Sequence, residues 1–206
     1  MRRKTYHHGD LKNALIRAGI EILEREGAGG LSLRKVASRA GVSHSAPYAH
    51  FADKQALIAA ISTEGYRMIL ERIEAAAAPH GEDPQRQLLE VAWAYLQFAL
   101  DDPAHFRISL SGAVEREKDY PALVQASQEG FTTILRIVEA CQRDGLLEGT
   151  PVEAAAVSVW SLVHGLASLL LEGQIPHALF DRMSLRGLLI FSLNQLKGIN
   201  IPAETN

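Results

Sequence analysis

The chain has 206 residues, 47% of them apolar and 6% aromatic, with one cysteine and a formal net charge of −3. That length can bury a sizeable core in one large domain or two small ones, and the single cysteine, Cys141, excludes an internal disulfide and fits a reducing cytoplasm. No apolar leader is apparent and no uncharged apolar run reaches the roughly 18 residues of a membrane span, so neither secretion nor a membrane partner is expected.

Alanine and leucine dominate, β-branched runs are few and no useful period-2 alternation occurs, which predicts an all-α fold of about nine helices. The small net charge hides an asymmetry. Residues 1–54 hold ten Lys/Arg against five Asp/Glu, whereas the remainder holds 11 against 19. A head of +5 on a body of −8 is the pattern of a DNA-binding domain joined to one that does not bind DNA.

Residues 1–9 form a basic arm in which Arg2, Arg3 and Lys4 are placed to reach phosphates or the minor groove. Asp10 is expected to cap a first helix over Asp10–Glu26, whose Leu11, Ala14, Leu15, Ala18, Ile22 and Leu23 make a 3.6-period stripe. Gly27, Gly29 and Gly30 end it. Ser32 caps the next helix and can face a phosphate. From Ser32 to Phe51 the spacing of Leu33, Val36, Ala37 and Ala40, then Gly41, Val42 and Ser43, predicts two short helices joined at Gly41, the second capped by Ser43. This is a helix-turn-helix pattern, whose second helix enters the major groove. Asp53 starts a long third helix, with Lys54 in a first turn that favours phosphates.

Pro79, Gly81 and Pro84 interrupt that helix. Further helices are predicted at 85–101, 103–111, 121–144, 152–173 and 182–197, with Pro103, Pro121 and Pro151 in first-turn positions. The most apolar stretch, Val157–Leu171, reads as a buried helix. The domain division expected is an arm over 1–9, a DNA-binding domain over 10–64, a body over 65–198 and a tail over 199–206. On the helix at 152–173, Ala154, Ser158, Ser161, Gly165 and Ser168 repeat at 4-3-4-3 spacing, a small-residue face that lets another helix approach closely. Trp160 and His164 share a face at i and i+4. Trp93, Tyr95, Phe98, Phe106 and Phe131 are core aromatics. Of these, Trp93, Phe98, Phe106 and Phe131, with Arg107, Trp160 and His164, are the candidates to line a pocket for a hydrophobic or aromatic small molecule.

Residues 10–69 resemble the DNA-binding domain of the tetracycline-repressor (TetR) family. The resemblance rests on the amphipathic first helix, Gly27, Leu31-Ser32, Val36-Ala37, Ala40-Gly41-Val42-Ser43, Tyr48, His50-Phe51, Lys54 and Leu57. It implies a homodimer on a palindromic double-stranded DNA operator, with a helical body for ligand binding and dimerisation. Tyr48, His50 and Lys54 fall where phosphate contacts are made, Ser32 and Arg34 at the flanking backbone, and Ser43, His44 and Ser45 where bases are read. His44 can donate to guanine O6/N7 or to a phosphate. Pro47 departs from the apolar residue usual at its position and disturbs the start of the second helix. Trp160, His164 and Gly165 resemble the signature of the family's Trp-His-Gly subgroup. The family pairs its last two helices across the dimer, which implies an interface of Ser158, Ser161, Gly165, Ser168, Leu185, Leu189 and Ser192.

No nucleophile elbow, paired carboxylates, phosphate loop or metal-ligand spacing occurs, so no catalytic residue, metal or cofactor is expected. The reading is a DNA-binding regulator, a repressor released by a small hydrophobic or aromatic effector. Its rivals are a small-molecule carrier or enzyme with a vestigial head, which the +5 charge and the Tyr48/His50/Lys54 set oppose. A non-specific architectural DNA protein is opposed by the acidic body.

Overall fold

The structure, a computed structural model, describes residues 8–110 and 112–202, without the side chains of residues 8–10 and 28. The arm residues Arg2, Arg3 and Lys4 lie outside the described residues. Within the described residues the fold is all-α, with nine α-helices and no strand. They are α1 (His8–Gly30), α2 (Leu33–Arg39), α3 (Lys54–Ala77), α4 (Pro84–Asp101), α5 (Pro103–Leu110), α6 (Pro121–Arg143), α7 (Val152–Leu171), α8 (His177–Phe180) and α9 (Leu185–Leu193). Helix α1 begins at His8, so Asp10 lies inside its first turn rather than ahead of it. Gly27 breaks α1 with φ 66° and ψ −177°, and one more turn follows to Gly30.

Two compact units result: Met1–Tyr66 with Ala104–Ser127, and Arg67–Pro103 with Gln128–Asn206. In the first, α1 contributes Leu15, Ile16 and Ile22, α2 Leu33 and Val36, and α3 Leu57, Ile58 and Ile61. Phe51 and Ile108 close the cluster, with Val42, Ala113 and Val114 packed against it. Each such aliphatic side chain contributes about 1.5–3 kcal/mol when fully buried. Helices α3 and α5 meet through small residues. Ser109 Oγ donates to the Ser62 carbonyl at 3.3 Å, and a Cβ on Gly65 would fall 2.0 Å from Ser109 Oγ and 3.3 Å from the His105 carbonyl.

In the second unit, α4 packs on both α7 and α9, which also pack on each other. The core holds Leu89, Leu96, Phe98, Ile137, Val138, Ala156, Val163, Leu189 and Leu193. Glu90 fastens α4 to α9: its Oε1 accepts from Arg186 Nη2 at 2.7 Å, and the Arg186 guanidinium lies 5.2 Å from the Trp93 ring centre. Ser184 caps α9 by accepting from the Gly187 amide at 3.0 Å, so α9 starts later than the periodicity predicts. The expected tail is fastened as far as Ile201. Gln85 exchanges two hydrogen bonds with the Asn200 backbone, and Asn194 does the same with Ile201. Ile199 and Ile201 are buried, which is why the chain holds to the body here.

Two expectations are corrected. The apolar helix α7 is not a buried core helix. Its most apolar window has a mean hydropathy of 1.8, enough by length and composition to cross a membrane, yet only 33% of that window is buried. Val157 and Leu169 face outward, as does Phe191 on α9. Leu189, assigned to an interface, is instead completely enclosed in the core of its own unit, because it lies on the inward side of α9 with Ile190 and Leu193. The close α3–α5 approach gives a test. Gly65→Ala is expected to lower stability in chemical denaturation by about 1–3 kcal/mol. The double variant with Ser109→Ala should lose less than the sum of the two single changes, since the hydroxyl in the way is gone.

Candidate nucleic-acid interface and effector cavity

Helix α2 is closed at both ends by short-range bonds. Ser32 Oγ accepts from the Lys35 amide at 3.2 Å. At the other end Gly41 takes φ +69°, its amide donates to the Ser38 carbonyl at 3.2 Å and the Val42 amide to the Ala37 carbonyl at 3.0 Å. This crossed pair is the Schellman motif, which requires the left-handed conformation that glycine adopts without a Cβ penalty. Val42 is thereby turned into the core, and residues 43–45 are left on the outside.

The second helix differs from expectation. It is a single 3-10 turn, Ala46–Ala49, with Ser45 rather than Ser43 before it and no side-chain cap. Pro47 has no amide hydrogen to give the Ser43 carbonyl, so an α-type ladder cannot start there. Three-residue bonds stand instead: Ala46 to Ser43, Tyr48 to Ser45 and His50 to Pro47, at 3.0, 3.2 and 2.9 Å. Ser43 Oγ turns to Ser45 Oγ at 3.1 Å. Pro47 is buried and Phe51 is buried behind it, which pushes Tyr48 outward to 58% exposure. Asp53 Oδ1 then accepts from the Ala56 amide at 2.8 Å and caps α3, with Lys54 as its first residue.

The structure therefore sets Arg34, Ser43, His44, Ser45 and Tyr48 exposed, with Ser32 and His50 half-buried. His50 Nε2 is enclosed with no hydrogen-bond partner, leaving Nδ1 as the nitrogen through which His50 can meet a phosphate. Not every cation of the head is free. Lys35 pairs with Glu26 and Arg39 with Glu21, while Arg34 has no ion pair among the described residues.

In the second unit a cavity with about 30 Å³ of room for the centre of a water-sized sphere lies between helices. Its wall is Ile73 of α3, Leu88, Val91, Ala92 and Tyr95 of α4, Ile134 and Ile137 of α6, and Val159, Trp160 and Val163 of α7, almost wholly apolar. At this wall the Trp160 indole donates to the Tyr95 hydroxyl at 3.3 Å, and Tyr95 Oη is 2.9 Å from His164 Nδ1. Burial pushes the His164 pKa down, so its neutral form is favoured. Of the predicted pocket residues, Trp160 lines the cavity and Phe131 stands beside it, ring centres 6.4 Å apart. Trp93 does not line it, because it is held under Arg186. Phe98 does not either; it is fully enclosed beneath Arg72. Phe106 and Arg107 belong to the first unit. Tyr95, read as core from sequence, is the polar hub. The signal for it was indirect: Trp160 and His164 on an apolar helix both demand a partner. Among the described residues no group of three or more His, Cys, Asp or Glu side chains is placed to hold a metal ion.

Residues 15–61 match the family described as bacterial regulatory proteins, tetR family, and residues 88–188 match the tetracyclin repressor-like C-terminal domain. The chain belongs to the TetR family. Over 77 residues it is 35% identical to the tetracycline repressor protein class A of transposon 1721 from Escherichia coli, an alignment covering 37% of this chain and 34% of that repressor, so the chain spans about a third of its length. A protein of unknown function from Rhodococcus sp. RHA1 is similar across 95% of this chain and 100% of its own, with 27% identity and a TM-score of 0.75. A regulatory protein of the tetR family from Rhodococcus RHA1 aligns over 77% of this chain and 83% of its own, with 25% identity and a TM-score of 0.67. This TetR-family chain therefore carries a helix-turn-helix head of the kind found in the family's bacterial regulatory proteins, and two of the relatives named are a tetracycline repressor and a regulatory protein of the tetR family.

The hub is open to test. Tyr95→Phe leaves the Trp160 N–H and the His164 nitrogen without the shared hydroxyl and is expected to cost about 1–3 kcal/mol in denaturant unfolding. His164 has its pKa lowered in the folded state, so below the ordinary imidazole value of about 6.5 the unfolded chain takes up the proton first. Stability present above that pH is lost as pH falls through the folded value. The decline between about pH 7 and pH 5 should be shallower in His164→Gln than in the wild type.

Proposed function

We propose that the chain is a homodimeric repressor that binds a palindromic operator and is released by a small hydrophobic or aromatic effector. The exposed row Ser43, His44, Ser45 and Tyr48, held out by the Gly41 turn and the buried Pro47, supports this reading, because the second element of a helix-turn-helix is the one that enters the major groove; Ser43, His44 and Ser45 are its base readers. Ser32, Arg34, Tyr48, His50 and Lys54 take the phosphates, and the arm residues Arg2, Arg3 and Lys4 add to them. Half-sites then lie about one helical turn, roughly 34 Å, apart.

The outward faces of α7 and α9 support the dimer. Ser158 and Ser161 are exposed, Gly165, Ser168, Leu185 and Ser192 half-exposed, and Val157, Leu169 and Phe191 add apolar area beside them. A Cβ on Gly165 would meet nothing within 4 Å, so nothing in its own chain requires glycine there. A second copy of α7 does. The subgroup resemblance of Trp160, His164 and Gly165 is consistent with the same roles: cavity wall, hub and interface. The cavity supports the effector class. It has no charged wall residue, and its present volume holds little more than a water or two. An effector must spread α4, α6 and α7, and it shifts the DNA-binding equilibrium only by its preference for the spread state.

An electrophoretic shift on the DNA upstream of the chain's own gene, reversed by an apolar candidate effector, tests the reading; binding without sequence preference at low salt would sink it. Gly165→Arg is expected to leave helical content intact, to sediment as a monomer and to lose about 100-fold or more in operator affinity. Gly165→Ala should fold at least as stably as the wild type. A monomeric wild type with full operator affinity contradicts the dimer.

A further inference from the structure

Ser38 decides which hydrogen-bonding character His44 offers to a base. The Ser38 hydroxyl has one hydrogen, and the Arg34 carbonyl 3.0 Å away can only accept it. The same Ser38 Oγ lies 3.1 Å from His44 Nε2, across the turn. With the hydroxyl hydrogen committed to the carbonyl, both bonds exist together only if Nε2 carries a hydrogen and donates it to Ser38. A neutral imidazole protonated at Nε2 has a bare lone pair at Nδ1 and no second donor. His44 itself is exposed, between two serines that bond each other.

We infer that His44 is an acceptor-type base reader: its Nδ1 takes a hydrogen bond from an exocyclic amine, the N6 amine of adenine or the N4 amine of cytosine. This rests on the operator binding proposed above. In the major groove those amines are the donors, while guanine O6 and N7 and thymine O4 are acceptors that would meet the Nδ1 lone pair head-on. The assignment reverses the expectation from residue type, that His44 donates to guanine. It also makes Ser38 a positioning residue, one that fixes the specificity of the reader without touching DNA.

Selection from a pool of randomised duplexes with the full chain, at about 100 mM salt, defines the preferred half-site. The position whose preference collapses in His44→Ala is the one His44 reads. There, adenine is replaced by purine, or cytosine by pyrimidin-2-one, each lacking the amine. In a separate duplex the purine of that pair is replaced by its 7-deaza analogue, lacking the N7 acceptor. Loss of the amine should weaken wild-type binding about fivefold, the worth of one hydrogen bond, and leave His44→Ala unaffected. The 7-deaza change should cost neither protein anything. In Ser38→Ala, where the tautomer is released, the amine effect should shrink to about twofold or less. Imidazole nitrogen chemical shifts of the free protein at about pH 8, where imidazoles are ordinarily neutral, should place the His44 proton on Nε2 in the wild type and on both nitrogens in Ser38→Ala. Affinity that depends on N7 and not on the amine, or a proton on Nδ1 in the wild type, overturns the assignment. So does a half-site preference unchanged in His44→Ala, which leaves operator binding standing. A wild type that enriches no sequence overturns the operator reading and this assignment with it.

Discussion

Gly41 sits at φ +69°, and the conformation turns the Val42 amide back to the Ala37 carbonyl while sending the Val42 side chain into the core. Everything the head presents follows from that reversal. Residues before it belong to α2, which Ser32 caps and which ion pairs tie to α1. Residues after it return the chain to the core at Pro47, six positions on, and at Phe51, ten positions on. An L-residue with a Cβ in the left-handed region costs about 1–2 kcal/mol, and here the cost would fall on the one turn that orients both short elements. The missing amide of Pro47 then selects a 3-10 turn over an α-helix, so the exposed element is shorter and tighter than an α-helix would be.

The second unit is organised around the opposite problem, the placement of a few polar atoms in an apolar interior. Trp160 and His164 lie one turn apart on α7 and converge on one hydroxyl from α4. Hydrogen bonds at such a wall are costly to leave unmade, so the triad fixes the register of α4 against α7 at the cavity. Glu90 and Arg186 do the same for α4 against α9. Apart from Tyr95 and Trp160 the cavity wall is aliphatic or alanine, side chains that can move at little electrostatic cost.

Much of this was legible in the sequence, for physical reasons that differ by element. Helix faces follow from 3.6-residue spacing, so α1, α3, α4 and α6 were readable within a few residues. The Gly41 turn was readable because only glycine serves there. Pro47 announced a disturbance, yet its outcome depended on whether the ring would be buried, which local sequence does not state. Leu189 was misplaced because α9 is apolar nearly all round, and periodicity cannot choose an inward side in such a helix. The same ambiguity made α7 read as core. Trp93 and Phe98 were misplaced for a related reason: α4 buries more than one face, and composition alone does not tell which face borders a cavity. Tyr95 was hidden because its role depends on two side chains far along the chain. The Ser38–His44 bond was unreadable in principle, since it links two polar residues across a turn whose geometry only the fold supplies.

The ion pairs Lys35–Glu26 and Arg39–Glu21 change how the basic head should be counted. Association with DNA is driven largely by the release of condensed counterions, and log affinity falls with log salt by about 0.9 for each phosphate neutralised. A cation already balanced by an acid on α1 brings less uncompensated charge to that exchange. The head's ten basic residues therefore overstate its ionic stoichiometry. On the function proposed above, its affinity for DNA should rest to a larger extent on polar contacts that salt does not screen, and should fall less steeply with salt than ten cations imply.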